Sequence, residues 1–196
     1  MKKLILVISF VLLSVISYSQ ERLTQEQVIQ KLISTSKSID SFSSDFTQVR
    51  EVAILSEPAI SKGLFQYRKD GRILWRYLSP AAYQVAFSKE EMLITRDGKS
   101  DSISFSENPY MGHLRELLLG LMSGQQFEQN SQLKVSVVSY DPDIVVNMVP
   151  LQRQLKKFIK EIEISFTAKD YLVSKVVLRN TDDSTTTINF SNRKLN

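Results

Sequence analysis

The stretch Gly63 to Pro80, GLFQYRKDGRILWRYLSP, restricts what this chain can fold into more than any other. Phe65 and Tyr67 fall on one side of its first run, and Ile73, Trp75 and Tyr77 on one side of its second. Arg68, Lys69, Asp70, Gly71 and Arg72 make a polar, glycine-containing corner between the two. Alternation with period two around such a corner predicts a β-hairpin whose rings lie on one side of a sheet, where cross-strand pairs stabilise it. What that face covers is the functional question.

Short alternating runs continue on both sides of the hairpin. Phe42 to Leu55 has strand character, and beyond Pro80 come Tyr83, Val85 and Phe87, then Met92 to Ile94, then Ile103 and Phe105. Asp97-Gly98 between two of these runs is a strong hairpin signal. The connections are too short for helical crossovers, so the strands are expected to be antiparallel. Later runs are Leu133 to Tyr140 and Ile144 to Val149 around Asp141-Pro142-Asp143, then Ile162 to Phe166, Tyr171 to Arg179 and Thr185 to Phe190. The run Leu151 to Lys160 between them is basic and fits neither period.

Two segments have helical spacing instead. Thr24 with Gln27 forms a capping box ahead of Val28, Ile29, Leu32, Ile33 and Ile39, which predicts an amphipathic helix from Thr24 to Phe42. Asn108-Pro109 opens a second helix, and Ser123-Gly124 closes it. That second helix carries Met111, Leu114, Leu117, Leu118, Leu119, Leu121 and Met122, with only His113, Arg115 and Glu116 clearly polar. A helix so apolar must bury most of its circumference or cover a greasy surface. The residues therefore predict about ten or eleven strands in a single antiparallel sheet with helices on one face.

The chain begins with Lys2 and Lys3, an apolar run from Leu4 to Ile16, and Ser17-Tyr18-Ser19. This is the pattern of a secretory signal peptide, with cleavage expected before Gln20. The apolar run is shorter than the roughly 20 residues of a transmembrane helix, so no stable membrane anchor is expected. There is no cysteine, which removes disulfides, thiol chemistry and a lipid anchor on the protein itself. The formal charge falls from +4 to +2 once Lys2 and Lys3 are removed, too weak a field for a nucleic-acid binder.

Signs of catalysis are missing. No hydrolase elbow, phosphate-binding loop or dinucleotide fingerprint is present, and no cofactor is expected. His113 and Glu116 have metal-ligand spacing but no third partner, so no metal site is expected. Glu161 and Glu163 alternate with Ile162 and Ile164, as on the wet side of a strand. An enzyme is therefore not expected. Two accounts of the apolar faces remain: they close on each other as a core, which composition favours, or they enclose a cavity for an apolar ligand.

The run Ser41 to Gln48 (SFSSDFTQ), Gly63 with its aromatic pair, and Trp75 with Ser79-Pro80 resemble the outer-membrane lipoprotein carrier family, LolA. The order of elements is similar from about Thr24 onward. The resemblance implies an open antiparallel β half-barrel with a helical lid over its concave apolar face, formed by residues 20–196 as one domain after a signal peptide at 1–19. It implies a periplasmic, monomeric, non-enzymatic carrier that takes acylated lipoproteins, or other lipids, from an inner-membrane ABC transporter to an outer-membrane receptor. Phe46, Phe65, Tyr67, Ile73, Trp75, Tyr77, Leu114, Leu117, Leu118 and Leu121 become the expected cavity wall. The family fastens its lid through an arginine in the hairpin corner. Here Lys69 stands in that place, without the planar fork of donors, and Arg68 and Arg72 flank it, so the latch is expected only as a region. The alternatives are a carrier of a different lipid and a periplasmic binding or sensor domain of the same fold with a filled core.

Overall fold

Alternation of apolar and polar residues becomes eleven strands in one antiparallel sheet, in the order β6-β5-β4-β3-β2-β1-β11-β10-β9-β8-β7. The strands are β1 (Ser41–Glu51), β2 (Ala59–Arg68), β3 (Arg72–Ser79), β4 (Tyr83–Phe87), β5 (Glu91–Arg96), β6 (Lys99–Ser104), β7 (Leu133–Ser139), β8 (Asp143–Pro150), β9 (Ile159–Thr167), β10 (Val173–Asn180) and β11 (Thr185–Leu195). The helices are α1 (Gln25–Ser38), α2 (Pro109–Met122) and the single turn α3 (Arg153–Lys156). This computed structural model describes residues 23–128, 132–140 and 142–195, so the expected export segment and its cleavage point lie outside the described residues. The edges β6 and β7 do not pair with each other, which leaves the sheet open. The expected open, mainly β architecture with helices on its inner face is what the chain adopts.

Tight turns follow from residues that tolerate positive φ. Asp97 and Gly98, at φ 50° and 74°, make the two-residue turn between β5 and β6. At the corner between β2 and β3, Arg68 faces Arg72 across three residues, and Gly71 takes φ +90°. In that hairpin Phe65 stands opposite Trp75 and Tyr67 opposite Ile73, so the predicted aromatic face is real.

Helix α1 starts as expected. Thr24 Oγ1 accepts from the Gln27 N–H at 3.2 Å, and Gln27 Oε1 accepts from the Thr24 N–H at 2.8 Å. It ends at Ser38 rather than Phe42, because Ile39 is extended and Phe42 is the first inward ring of β1, opposite Tyr67. Asn108 precedes α2 without a side-chain capping bond, and Pro109 takes the first helical position. The basic run after Pro150 resolves into α3 and the start of β9.

The core has two parts. One joins Val28, Leu32 and Ile33 of α1 to Val146, Met148, Ile162 and Ile164 of β8 and β9. The other gathers Phe42, Phe46, Phe65, Tyr67, Ile73 and Phe87 from β1 to β4. Helix α2 belongs to both: Leu114, Leu117 and Leu121 pack on the first, and Met111, Leu118, Leu119 and Met122 on the second. A helix that is apolar almost all round is thereby explained, since it packs on both halves of the core at once.

Candidate functional site

The two halves of the sheet pair along β1 and β11, and between their concave faces and α2 lies a cavity of about 320 Å³. Leu114, Leu117, Leu118 and Leu121 form its roof; they recur at helical spacing and so share one face of α2. Phe65, Trp75, Tyr77, Val85 and Phe87 make one wall. Ile162, Ile164, Val176, Leu178, Ile188 and Phe190 make the other, from β9, β10 and β11. The lining side chains that carry polar atoms are Gln48, Thr186, Trp75 and Tyr77. Apolar space of this size is about twice that of an engineered apolar cavity that stays dry and takes up benzene, and lies at the small end of ligand pockets.

The polar groups are mostly neutralised in place. The Tyr77 hydroxyl donates to Gln48 Oε1 at 3.1 Å, and its ring stacks on Tyr83 with centroids 4.4 Å apart. Burial, reinforced by Tyr83, holds the Tyr77 hydroxyl well above the ordinary tyrosine range, so it stays an uncharged donor. Trp75 Nε1 is buried without a hydrogen-bond partner.

Seven of the ten residues expected in the wall line this cavity: Phe65, Trp75, Tyr77, Leu114, Leu117, Leu118 and Leu121. Phe46, Tyr67 and Ile73 do not; they are 2%, 3% and 1% exposed and pack as core behind it. For Phe46 the reason is visible at Gly63, which has no side chain between Phe46 on β1 and Tyr77 on β3. The Phe46 ring falls into that gap and meets Tyr77 at 5.2 Å and Trp75 at 5.5 Å, edge to face. About half of the cavity lining comes from β9 to β11, none of whose residues was among those expected in the wall.

The latch region is arranged differently from the expectation. Arg72 and Arg68 both turn to Asp70 within the corner, at 2.5 Å and 3.7 Å, and Lys69 Nζ bonds Asp40 Oδ1 at 2.9 Å. The hydrogen bonds from Arg72 bring the Asp70 carboxyl down to about 2, so it is fully charged at neutral pH. Local acids thus take up all three corner cations, and among the described residues none of them bonds to α2. The contact is made from the other side. Arg115 of α2 is 7% exposed, its Nη1 donates to Glu116 Oε1 at 2.5 Å, and its Nε has no partner. A Cβ placed on Gly71 would lie 3.3 Å from Arg115 Nη2, so the guanidinium rests directly on the hairpin corner.

The sequence model of the family described as outer membrane lipoprotein carrier protein LolA matches residues 37–196. No curated protein matches the chain in sequence. Among solved structures, an uncharacterised conserved protein of Thermus thermophilus is similar at 6% identity with a TM-score of 0.50, over 87% of this chain and 86% of that one. A LolA superfamily protein of Nitrosomonas europaea gives 8% identity and a TM-score of 0.46, over 89% and 94% of the two chains. A chain of the Pseudomonas aeruginosa MucA/MucB complex gives 14% and 0.47 over 85% of this chain, which spans about half (55%) of that chain's length. Likeness at such identities is a likeness of fold.

Proposed function

The chain belongs to the LolA family of outer membrane lipoprotein carriers, and on that footing we propose that it is an exported carrier that shields acyl chains of lipid-modified proteins between the inner and outer membranes. Residues 1–19 serve as the export segment and residues 20–196 as one carrier domain. A transporter that loads the carrier and a receptor that unloads it are the partners this role requires, and no catalytic step is involved. The observation that supports the reading best is the apolar space of about 320 Å³ roofed by α2.

Magnitudes support the role. At about 30 Å³ for each water-sized group, a cavity of 320 Å³ holds roughly ten methylenes. Each is worth about 0.8 kcal/mol on leaving water, so one partly inserted chain gains on the order of 8 kcal/mol. A lipoprotein with several chains needs more room, and α2 has to move to provide it. The lid is suited to that, because its Arg115 sits on the hairpin corner with an unsatisfied Nε.

Binding of an environment-sensitive fatty-acid probe tests the reading. The wild type is expected to bind saturably. Leu118→Glu, which places a carboxylate in the roof, is expected to weaken binding by roughly a hundredfold, because a charge cannot be desolvated there cheaply. Leu118→Ala is expected to retain it. A protein with no saturable binding and no lipid found on it by mass spectrometry would overturn the proposal.

A further inference from the structure

The connection between β8 and β9 carries a surface that the cavity leaves unexplained. Leu155 and Ile159, 1% and 2% exposed, root it in the core. Thr181 of the β10–β11 turn ties it down, its N–H donating to Phe158 O at 3.0 Å and its hydroxyl to Lys157 O at 2.8 Å. Around these anchors Leu151 and Phe158 remain 53% and 46% exposed. Arg153, Lys156, Lys157 and Lys160 are exposed too, and none has a carboxylate partner among the described residues.

The stretch from Leu151 to Lys160 contains no acid. The turn that Thr181 begins also carries Asp182 and Asp183, and Asp182 is already engaged by the Ser184 N–H at 3.0 Å and hydroxyl at 2.6 Å. Glu161 is drawn to Arg179 at 3.8 Å. Free cations mixed with an exposed leucine and an exposed aromatic ring fit one kind of partner. Phosphate headgroups satisfy the lysines and arginine, and the acyl boundary just beneath takes the leucine and the ring. A nucleic acid would leave Leu151 without a role.

Position adds to the chemistry. The Phe158 ring packs against Tyr110 in the first turn of α2, with centroids 4.4 Å apart, and the adjacent Ile159 lines the cavity. The β1–β2 connection leaves the same end of the antiparallel sheet and adds Ile54 and Leu55, 90% and 54% exposed. We propose that the β8–β9 end of the half-barrel docks on the surface of an anionic phospholipid bilayer, through Arg153, Lys156, Lys157 and Lys160 with Leu151 and Phe158 at the acyl boundary. Docking there sets the bilayer beside the first turn of the lid. The proposal stands apart from the cargo reading, since the empty protein is able to dock.

Vesicle co-sedimentation tests it, using protein recovered from the periplasm of expressing cells. The wild type is expected to bind vesicles of phosphatidylethanolamine and phosphatidylglycerol, to release them as salt rises, and to ignore phosphatidylcholine vesicles. Each cation near such a surface contributes about fivefold, so Lys156→Glu with Lys157→Glu is expected to weaken binding by at least roughly thirtyfold. Phe158→Ser is expected to weaken it as well. Lys89→Glu with Lys194→Glu, the same change of net charge at the opposite end of the sheet, is expected to leave binding unchanged. All of these side chains are exposed, and far-ultraviolet circular dichroism verifies that each variant is folded. Absence of binding to anionic vesicles, equal binding to phosphatidylcholine, no effect of Phe158→Ser, or equal losses in the two charge-reversed pairs would each overturn the proposal. Vesicle binding without fatty-acid binding sinks the carrier reading alone, and the reverse result sinks this one alone.

Discussion

Replacing Gly63 by alanine should damage the protein far more than a single methyl group suggests. The added Cβ would lie 1.9 Å from the Arg76 carbonyl oxygen and 2.8 Å from Phe46 Cε1. Real Cβ contacts essentially never fall below 3.0 Å, so β3 must withdraw from β2 by about 1 Å. Neighbouring strands sit only about 4.8 Å apart, and the pairing in the middle of the sheet is lost with such a shift. Overpacking commonly costs about 1–3 kcal/mol, and a clash with backbone belongs at the upper end or beyond, so we expect about 3 kcal/mol or more. For a domain of this size that lowers the melting temperature by roughly 6–12 °C. Urea unfolding followed by the fluorescence of Trp75, the single tryptophan, measures it directly. Adding Phe46→Leu relieves the ring contact but leaves the carbonyl clash, so the double variant should keep most of the loss. A Gly63→Ala protein within about 0.5 kcal/mol of wild type would refute the packing of β3 against β2 described above.

Two further substitutions test the electrostatics. Arg115→Met removes a buried guanidinium with an unsatisfied Nε but keeps its length, and stability should hold or rise by up to about 2 kcal/mol; a loss above about 1 kcal/mol in urea would mean the corner binds the guanidinium well. Asp170 is held below the usual carboxylate range: burial alone would raise it, but bonds from Thr167 and the Leu172 N–H, with Arg193 nearby, outweigh that. A depressed folded value means stability that is present above the unfolded value near 3.9 and is lost as pH falls through the folded one. Asp170→Asn should therefore flatten the acid limb of the urea midpoint below about pH 5, and an unchanged limb would refute the assignment.

Much of the fold was legible because a sheet with one dry face writes its period into the sequence. Phe65, Tyr67, Ile73, Trp75 and Tyr77 show it, and Asp97-Gly98 marks a turn that few other pairs can make. The end of α1 was not legible, since Ile39 and Phe42 satisfy a helical and an extended spacing equally well. Within the site, period tells which residues face inward but not how deep the sheet curves. Phe46, Tyr67 and Ile73 share the inner face with Trp75, yet they pack as core while Trp75 reaches the cavity. Arg115 carries no sequence signal of its burial, because its contact is with the hairpin corner across the fold.

The strand order has a further consequence for how the protein comes into being. From β6 to β1, and again from β11 to β7, each strand pairs with its neighbour in the chain, so the sheet is two local meanders joined along one seam between β1 and β11. Ser44 Oγ reaches Ser191 O across that seam at 2.6 Å, spanning 147 residues of chain. Local meanders form quickly, while distant pairings wait for the chain that supplies them. During synthesis the edge of β1 therefore stays bare, with its aromatic face half covered, until β11 emerges. A chain built in this order cannot complete its sheet until its last strand is available.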